Sequence, residues 1–383
     1  MTQLWKGVAS LGIALCTTLA LGCGGDPTGP TGSLSDPAGL SADLQALGTP
    51  FGAAPVQSFH TITLTTSGTP ASRIASYLSA LSPGGAIPSL RSGTAAGRQS
   101  LALAALRPAL VGPSFNSVIP PAALGKSYIY DPNAGHYVEG TGSAGPAPSN
   151  GIRFALYAID PLTQRPATPL VEVGHADLLD ESTSTTSRLH VLVKGTGSTP
   201  FTYADYTIVA TSGTSSFSAQ ASGYVTNGTA RLDFTTSASA TQTQVVIDHA
   251  FTLDQPSVSA HLQETLTLTG TSSAALTLNF SVTRGNETVV LAGTLTLTQN
   301  SDNSFTTTAN FTVTANGGRF ATISGTIQGQ TGTFTTTGPG GRQLTAAEQD
   351  AVQRMFSAPT DLTDAASRVF LPIEQLLGTG EML

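Results

Sequence analysis

The sequence carries little charge and almost no lysine. Only 10% of its 383 residues are charged, whereas about a quarter of the residues are charged in an average soluble domain. Lysine stands at positions 6, 126 and 194 only. The formal net charge is −7, and without a cluster of lysine and arginine the chain lacks the basic surface that nucleic-acid binding needs. Nucleic acid is therefore not an expected partner.

Cysteine is the second scarce residue. The chain has two cysteines, Cys16 and Cys23, and both lie near its N-terminus. The sequence after Cys23 cannot form a disulfide within itself. It also offers no cysteine nucleophile and no thiolate ligand for a metal ion.

Residues 1–22 have the features of an export signal peptide. Lys6 precedes an apolar stretch from Val8 to Leu21, which is shorter than a comfortable transmembrane span and ends in small residues. The stretch closes with the sequence Leu-Ala-Leu-Gly-Cys at positions 19–23, and a Gly/Pro-rich sequence follows it. We therefore expect the chain to be exported.

The sequence that ends at Cys23 resembles the lipobox of bacterial lipoproteins, in which leucine and small residues precede an invariant cysteine. The usual leucine three positions before the cysteine is Ala20 here. The resemblance implies diacylglycerol on the Cys23 sulfur, cleavage before Cys23, and acylation of the new amine by a chain such as palmitate. Such a protein is held at a membrane, because more than one acyl chain gives stable anchoring. Gly24 in place of aspartate favours the outer membrane, with the periplasmic or surface side left open.

An ordinary secretory signal with a chance cysteine at its end is the alternative interpretation. It predicts the same export without the lipid.

Composition divides the chain into five parts. We expect residues 1–22 to be the signal peptide and, as the lipobox resemblance implies, residues 23–39 to be the acylated cysteine with a Gly/Pro tether. Residues 40–125 form a mixed helical and irregular segment. Residues 126–338 form an antiparallel β-meander, and residues 343–378 form C-terminal helices that pack on the sheet.

The segment before the meander has weak helical patterns. Leucines at helical spacing predict a helix over residues 40–47, which Gly48 ends. Alternating residues predict a short strand over residues 59–66. Two further helices are predicted over residues 70–81 and 99–105.

The β-meander is predicted by about a dozen runs with a period of two between residues 152 and 334. Turn residues such as Asn227-Gly228 separate these runs, and short connections predict sequential antiparallel hairpins. One face of each strand is apolar, and the other consists of threonine and serine. The 57 threonines of the chain suit this second face, because a branched Cβ favours a strand while the hydroxyl stays solvated.

The predicted fold class is therefore mainly β. We expect a large curved antiparallel meander, half-barrel or barrel-like, with helices at the N- and C-terminal ends. A closed barrel, a half-barrel and a sandwich all fit the pattern. The C-terminal helices are predicted over residues 344–356, where Thr345 and Glu348 form a capping box, and over residues 361–377, with an interruption at Pro372.

The chain lacks the common motifs of catalysis. The patterns G-x-S-x-G, H-E-x-x-H and S-x-x-K do not occur, and the six histidines are dispersed. Residues 140–145 match the dinucleotide fingerprint G-x-G-x-x-G, but Pro146 follows where a helix must begin, so we interpret them as a linker. We expect no cofactor, no metal site and no catalytic residues.

One polar pair is predicted on the apolar face of the sheet. His249 falls on the apolar face of its strand, and Glu264 does so in the next strand. A hairpin loop at residues 254–257 makes the two side chains diagonal neighbours. The pair could orient a ligand or act in acid–base chemistry. The alternatives are a structural core pair, or a register shifted by one residue that exposes both.

These observations favour a non-catalytic binding protein of the cell envelope. Its expected ligand is an apolar small molecule or lipid between sheet and helices, or an envelope partner on the threonine-rich face. Protein partners are not identified by the sequence. A structural or adhesive surface spacer is the alternative, and an envelope hydrolase is a remote one.

Overall fold

A single, mostly antiparallel sheet of 15 strands dominates the part of the chain that the structure, a computed structural model, describes. That part comprises residues 31–62, 118–184, 186–212, 217–241, 243–268, 273–300, 305–328 and 331–378. Cys23 and the helices predicted over residues 70–81 and 99–105 lie outside it.

Seventeen strands and three α-helices form the described elements. The strands are β1 Ser127–Asp131, β2 His136–Glu139, β3 Gly151–Tyr157, β4 Ile159–Asp160, β5 Arg165–Pro166, β6 Glu172–Asp180, β7 Ser187–Gly195, β8 Thr202–Ser212, β9 Phe217–Thr226, β10 Arg231–Ala240, β11 Gln244–Leu253, β12 Val258–Leu268, β13 Ser273–Arg284, β14 Glu287–Gln299, β15 Phe305–Ala315, β16 Gly318–Gln328 and β17 Thr331–Thr337. The helices are α1 Pro37–Ala46, α2 Ala54–His60 and α3 Ala346–Gly378, with short 3-10 turns at Thr49–Gly52, Pro121–Ala123 and Pro339–Gly341.

The predicted meander is confirmed. Strands β6 to β17 follow one another in the sheet as antiparallel neighbours, β3 pairs with β6, and β1 lies parallel to β3 with β2 beyond it. Strands β4 and β5 form a small separate sheet. The two edge strands of the large sheet, β17 and β2, do not pair with each other, so the sheet is open.

The inner face of the sheet packs against the helices, and the outer face is polar. In β13, Leu276, Leu278 and Phe280 are buried, whereas Thr277 and Asn279 between them are exposed. The same alternation runs through β7 to β16. It places the apolar half of each strand in one contiguous core with the buried residues of the three helices.

The span of α3 across the inner face shows that the sheet is curved. The ring of Phe356 contacts Phe311 of β15 with centroids 5.7 Å apart, and the carbonyl of Val369 accepts a hydrogen bond from the Tyr206 hydroxyl of β8. Thirteen helical residues cover about 20 Å. Seven strand spacings from β8 to β15 cover about 33 Å. The sheet must therefore bend around the helix for both contacts to form.

Inward-facing glycines accommodate large rings at the bends. Gly223 of β9 lies directly between Tyr206 and Phe234 of the flanking strands, and the two rings approach to 5.8 Å between centroids above it. A Cβ on Gly223 would lie 2.5 Å from the Cβ of Tyr206. Rings over glycines are a known means of bending and filling a sheet. Two further pairs have the same arrangement, Gly293 with Phe311 and Gly325 with Phe334.

The start of α3 has the predicted capping box. The backbone N–H of Glu348 donates to the Thr345 hydroxyl, and the N–H of Thr345 donates to the Glu348 carboxylate at 2.8 Å. Arg342 also binds that carboxylate, at 2.7 Å. This ion pair is the main reason that the pKa of Glu348 falls to about 2.

The prediction of two C-terminal helices is wrong, because one continuous helix spans Ala346–Gly378. Pro359 and Pro372 lie inside it, and each removes a backbone N–H from the helix. Buried side chains hold the helix on the sheet on both sides of Pro359, among them Met355 and Leu362. Packing along the helix therefore outweighs the local preference to stop at a proline.

The predicted helix near residue 40 is confirmed as α1, but the predicted strand over residues 59–66 is wrong where the structure describes it. Phe59 belongs to α2, which begins with Pro55 in its first turn. Val56 and Phe59 are both buried, three positions apart on one helical face. A run this short fits both periods, and contact with β3 and β6–β8 selects the helix.

Arg284 fastens the N-terminal segment, residues 31–62, to the sheet. Its guanidinium binds Asp43 of α1 at 2.8 Å and lies 3.7 Å from Glu287 across the β13–β14 turn. Glu287 accepts a hydrogen bond from the backbone N–H of Ser35 at 2.7 Å. At the start of the segment, Thr31 pairs with Arg319 of β16. Within the described residues, none of the helices combines the length and apolarity that crossing a bilayer requires.

Candidate functional site

The β11–β12 hairpin brings His249 and Glu264 together on the inner face. His249 lies opposite Leu262, and Glu264 lies opposite Ile247, so the two polar residues are diagonal neighbours. This is the register that the loop at residues 254–257 predicts. Both side chains are buried, with 0% of His249 and 5% of Glu264 exposed.

His249 is held in place by one hydrogen bond and one ring contact. Its Nδ1 lies 3.0 Å from the Thr236 hydroxyl, and its ring stacks on Phe251. Its Nε2 has no hydrogen-bond partner among the described residues. Burial lowers the pKa of His249 to about 4, so the imidazole is neutral near pH 7.

Glu264 lies among apolar neighbours. Ile247 and Leu278 flank it on the adjacent strands, and both are buried. Burial alone raises the pKa of Glu264 to about 7. The carboxyl group is therefore about half protonated at neutral pH and can donate as well as accept a hydrogen bond.

The contacts of the pair within the described residues limit what it can do chemically. In the described part of the chain no hydrogen bond joins the two side chains, and no group of three metal-ligating residues occurs there. A neutral imidazole whose Nε2 has no partner among the described residues and a partly protonated carboxyl group could together hold the polar end of an apolar molecule.

The outer face of the first half of the sheet carries charged clusters that the sequence reasoning missed. His190 of β7 lies between two carboxylates, 2.8 Å from Asp205 and 3.3 Å from Glu181. Arg188 also binds Glu181 at 2.8 Å. The alternation of β7 and β8 with the loop between them could have revealed the His190–Asp205 pair, by the same reasoning that found His249 and Glu264.

A second outer cluster lies beneath residues 140–148. Arg153 binds Asp177 through two nitrogens at 2.6 and 2.8 Å, and Asp177 is 3% exposed. Burial lowers the pKa of the nearby His175, against the attraction of Asp177. Arg153 also donates to the carbonyl of Ala144 at 2.6 Å. The sequence that matches the dinucleotide fingerprint is thus a loop that covers an ion pair.

The outer face of the second half of the sheet is a regular array of hydroxyl groups. We call the outward-facing side chains of β13–β17 the threonine face. Inside these five strands the charged residues are Arg284, Glu287 and Arg319, all at the end of the sheet with the β13–β14 and β15–β16 turns. One row of exposed threonines crosses four adjacent strands: Thr296, Thr308, Thr326 and Thr333.

The threonine face is large enough for a specific interface. Five strands are about 24 Å wide and about 30 Å long, which gives about 700 Å². A standard protein interface covers about 800 Å² on each partner. The face contains no aromatic residue in its outward positions, so hydroxyls, amides and methyl groups would make the contacts.

An open pocket of about 560 Å³ lies between α1 and the β13–β14 turn. Asp43, Arg284 and Glu287 line it, and these are the residues that fasten the N-terminal segment. Arg284 binds both carboxylates, so we assign this pocket a structural role.

Comparisons of the chain with protein-family models, with curated proteins and with solved structures find no match.

Proposed function

We propose that this chain is a lipid-anchored, non-catalytic binding protein of the cell envelope, and that its threonine face binds an uncharged, hydroxyl-rich envelope partner such as a polysaccharide. The observation that carries the proposal is the division of the outer face. Charged clusters occupy β3 and β6–β8, and Arg231 and Asp233 follow on β10. The threonine face has no charge away from the turn end.

The chemistry of the threonine face selects the kind of partner. A charged partner would lose hydration on binding without gaining an ion pair, which is unfavourable. A neutral polymer with many hydroxyl groups can exchange hydrogen bonds with the threonine rows and contact their methyl groups. The inner face is already packed against helices, so the outer face is the larger surface left for binding.

The test of this proposal is cosedimentation of the protein with purified cell-wall polysaccharide. The variant T296K/T308K/T326K places three charges within the face, and we expect it to lose binding at least tenfold. The control S222K/T235K/T252K adds the same charge to exposed outer positions of β9–β11 and should bind like wild type. Binding should persist from about 0.05 to about 0.5 M salt, because no ion pairs are involved.

Equal binding by both lysine variants would reject the threonine face as the site. The absence of any binding by wild type, to this or other neutral polymers, would favour the structural spacer instead.

The lipid anchor has its own test. A C23A variant should fail to incorporate labelled palmitate and should leave the membrane fraction, whereas C16A should retain the label. Unchanged membrane attachment of C23A would contradict the anchor while leaving the threonine face untested by that experiment alone.

A second candidate function is the binding of an apolar molecule with its polar end at His249 and Glu264. The unpartnered Nε2 of His249 favours it. Native mass spectrometry of the purified protein should then detect a bound small molecule, and H249L/E264L should reduce its occupancy. If the double variant keeps any bound molecule and gains stability, the pair is structural.

A further inference from the structure

Within the described residues, strand β17 is an open edge of the sheet. It pairs with β16 over seven residues, and no described strand pairs with its other side. Strand β17 ends at Thr337, opposite Thr322 of β16. Nearer the start of β16, Thr31 pairs with Arg319. The open length of the edge is therefore β17 itself, whose outer backbone N–H and C=O groups pair with no described strand.

This edge lacks the features that normally prevent strand pairing. Strand β17 contains no charged residue and no proline, and its register with β16 has no bulge. The opposite edge is different. Strand β2 has only four residues, and its Glu139 forms an ion pair with Lys126 at 2.7 Å. Short, charged edges discourage association, whereas long uncharged edges favour it.

The sequence of β17 is suited to pairing with a copy of itself. Its outward positions include Thr333, Thr335 and Thr337, and the first two are symmetric about Phe334. Antiparallel pairing centred on Phe334 would place Thr333 opposite Thr335 of a second copy, and Thr331 opposite Thr337. It would also place the two Phe334 rings side by side on the inner face. Threonine pairs and aromatic pairs stabilise antiparallel strands at such positions.

Phe334 is only partly buried in one copy. Its ring packs over Gly325 of β16, but no described strand lies on the other side of β17 to cover it. A second β17 would supply that neighbour.

We propose that two copies of this chain associate edge to edge by antiparallel pairing of β17. A two-fold axis through Phe334 would join the two sheets into one with twice the 15 strands and would make the threonine face continuous across the axis. A single strand pair is a small interface, so the dimer should dissociate on dilution. The proposal depends on neither the lipid anchor nor the envelope partner.

The test compares two charge variants by sedimentation equilibrium of the full chain in density-matched detergent. In T333K/T335K the pairing brings introduced lysines opposite one another, and in T333E/T335E it does the same for glutamates. Like charges directly opposite destabilise a strand pair, so each variant alone should bind its copy at least tenfold more weakly than wild type. An equimolar mixture should recover a heterodimer.

A matched control places two lysines on β16, the strand next to β17. S324K/T326K changes outward residues of β16 opposite Thr335 and Thr333 and should dimerise like wild type. Circular dichroism should show the same strand content in all variants. A wild type that stays monomeric at all concentrations, or charge variants that dimerise as wild type does, would overturn the proposal, and so would a mixture that remains monomeric.

Discussion

The Tyr206 hydroxyl donates a hydrogen bond to the carbonyl oxygen of Val369, deep in the core between β8 and α3. Tyr206 is 1% exposed and Val369 is 1% exposed. The acceptor lies three residues before Pro372, where the helix loses a backbone donor. The side chain of one element thus supplies a bond to the backbone of another.

We predict that Y206F destabilises the protein by about 1–2 kcal/mol, because a buried carbonyl loses a donor while the ring packing stays. Urea unfolding followed by circular dichroism measures the change. Y203F removes a hydroxyl from the outer face of the same strand and should change the free energy of unfolding by less than about 0.5 kcal/mol. Equal effects of the two variants would show that the Tyr206 hydrogen bond does not contribute to the free energy of unfolding.

A methyl group at Gly223 should be far more damaging. The new Cβ would meet Tyr206 atoms at 2.5 Å and the Asp205 carbonyl oxygen at 2.1 Å, so G223A must displace the backbone or the ring. We expect a loss of about 2–4 kcal/mol. Gly52 has no atom within 4 Å of the equivalent position, so G52A should be tolerated. Thermal unfolding of both variants checks the difference, and a stable G223A would refute the close packing.

Glu264 should make stability fall as pH rises. Its pKa is about 7 in the folded protein against an ordinary value of 4.5, so the folded state keeps the proton that the unfolded state releases. The contribution of Glu264 to the free energy of unfolding is fully present below about pH 4.5. It is lost as pH rises through about 7. The free energy of unfolding of wild type minus that of E264Q should therefore decrease over this range, by about 3 kcal/mol. Urea titrations at a series of pH values measure it, and a difference independent of pH would contradict the raised pKa.

His249 should act in the opposite direction. Its pKa is about 4 when folded against an ordinary value of 6.5, so the unfolded state binds a proton that the folded state refuses. Stability from His249 is present above about pH 6.5 and is lost as pH falls towards 4. The difference between wild type and H249Q should increase with pH over that range. In wild type the pH dependences of stability that come from Glu264 and His249 have opposite signs and cancel between about pH 4.5 and 6.5. Each single variant removes one of them, so the stability of that variant shows the pH dependence of the other residue.

Arg284 should be needed to keep the N-terminal segment on the sheet. R284A leaves Asp43 and Glu287 partly or fully buried without their cation, which costs about 3 kcal/mol when such a pair is broken. Limited proteolysis should then cut within residues 31–62 before it cuts the sheet. R231A removes a cation from an exposed pair with Asp233 and should have an effect of about 0–1 kcal/mol. Proteolysis of R284A at the wild-type rate would contradict this role.

The sheet was predictable because two constraints act together on each hairpin. The period of two in β11 and β12 decides which side chains face inward, and the loop at residues 254–257 decides which residues are opposite. His249 and Glu264 could therefore be paired from the sequence. The charged clusters on β6–β8 obey the same rules, but the pattern alone does not distinguish paired charges from solvated ones on an outward face.

The helices were less predictable because distant contacts decide them. Pro372 predicts an end to the helix, yet α3 continues through it to Gly378, and the Tyr206 hydroxyl of β8 holds the helix at Val369. The alternation of residues 59–66 places Phe59 in a strand, whereas its spacing of three positions from Val56 fits a helix. The local sequence does not show on which surface these residues pack.

Strands β6 to β17 lie in the sheet in the same order as in the sequence. The width of the sheet can therefore change by the insertion or loss of whole hairpins. Each hairpin contacts the hairpins beside it, so insertion or loss of one such unit would alter the width by about 10 Å and leave the order of the others intact. Between β8 and β15 this freedom is limited, because α3 spans these strands through Tyr206 and Phe311. Strands β16 and β17 lie beyond that span. Growth or shortening of the sheet is therefore best accommodated at the same border where the threonine face ends.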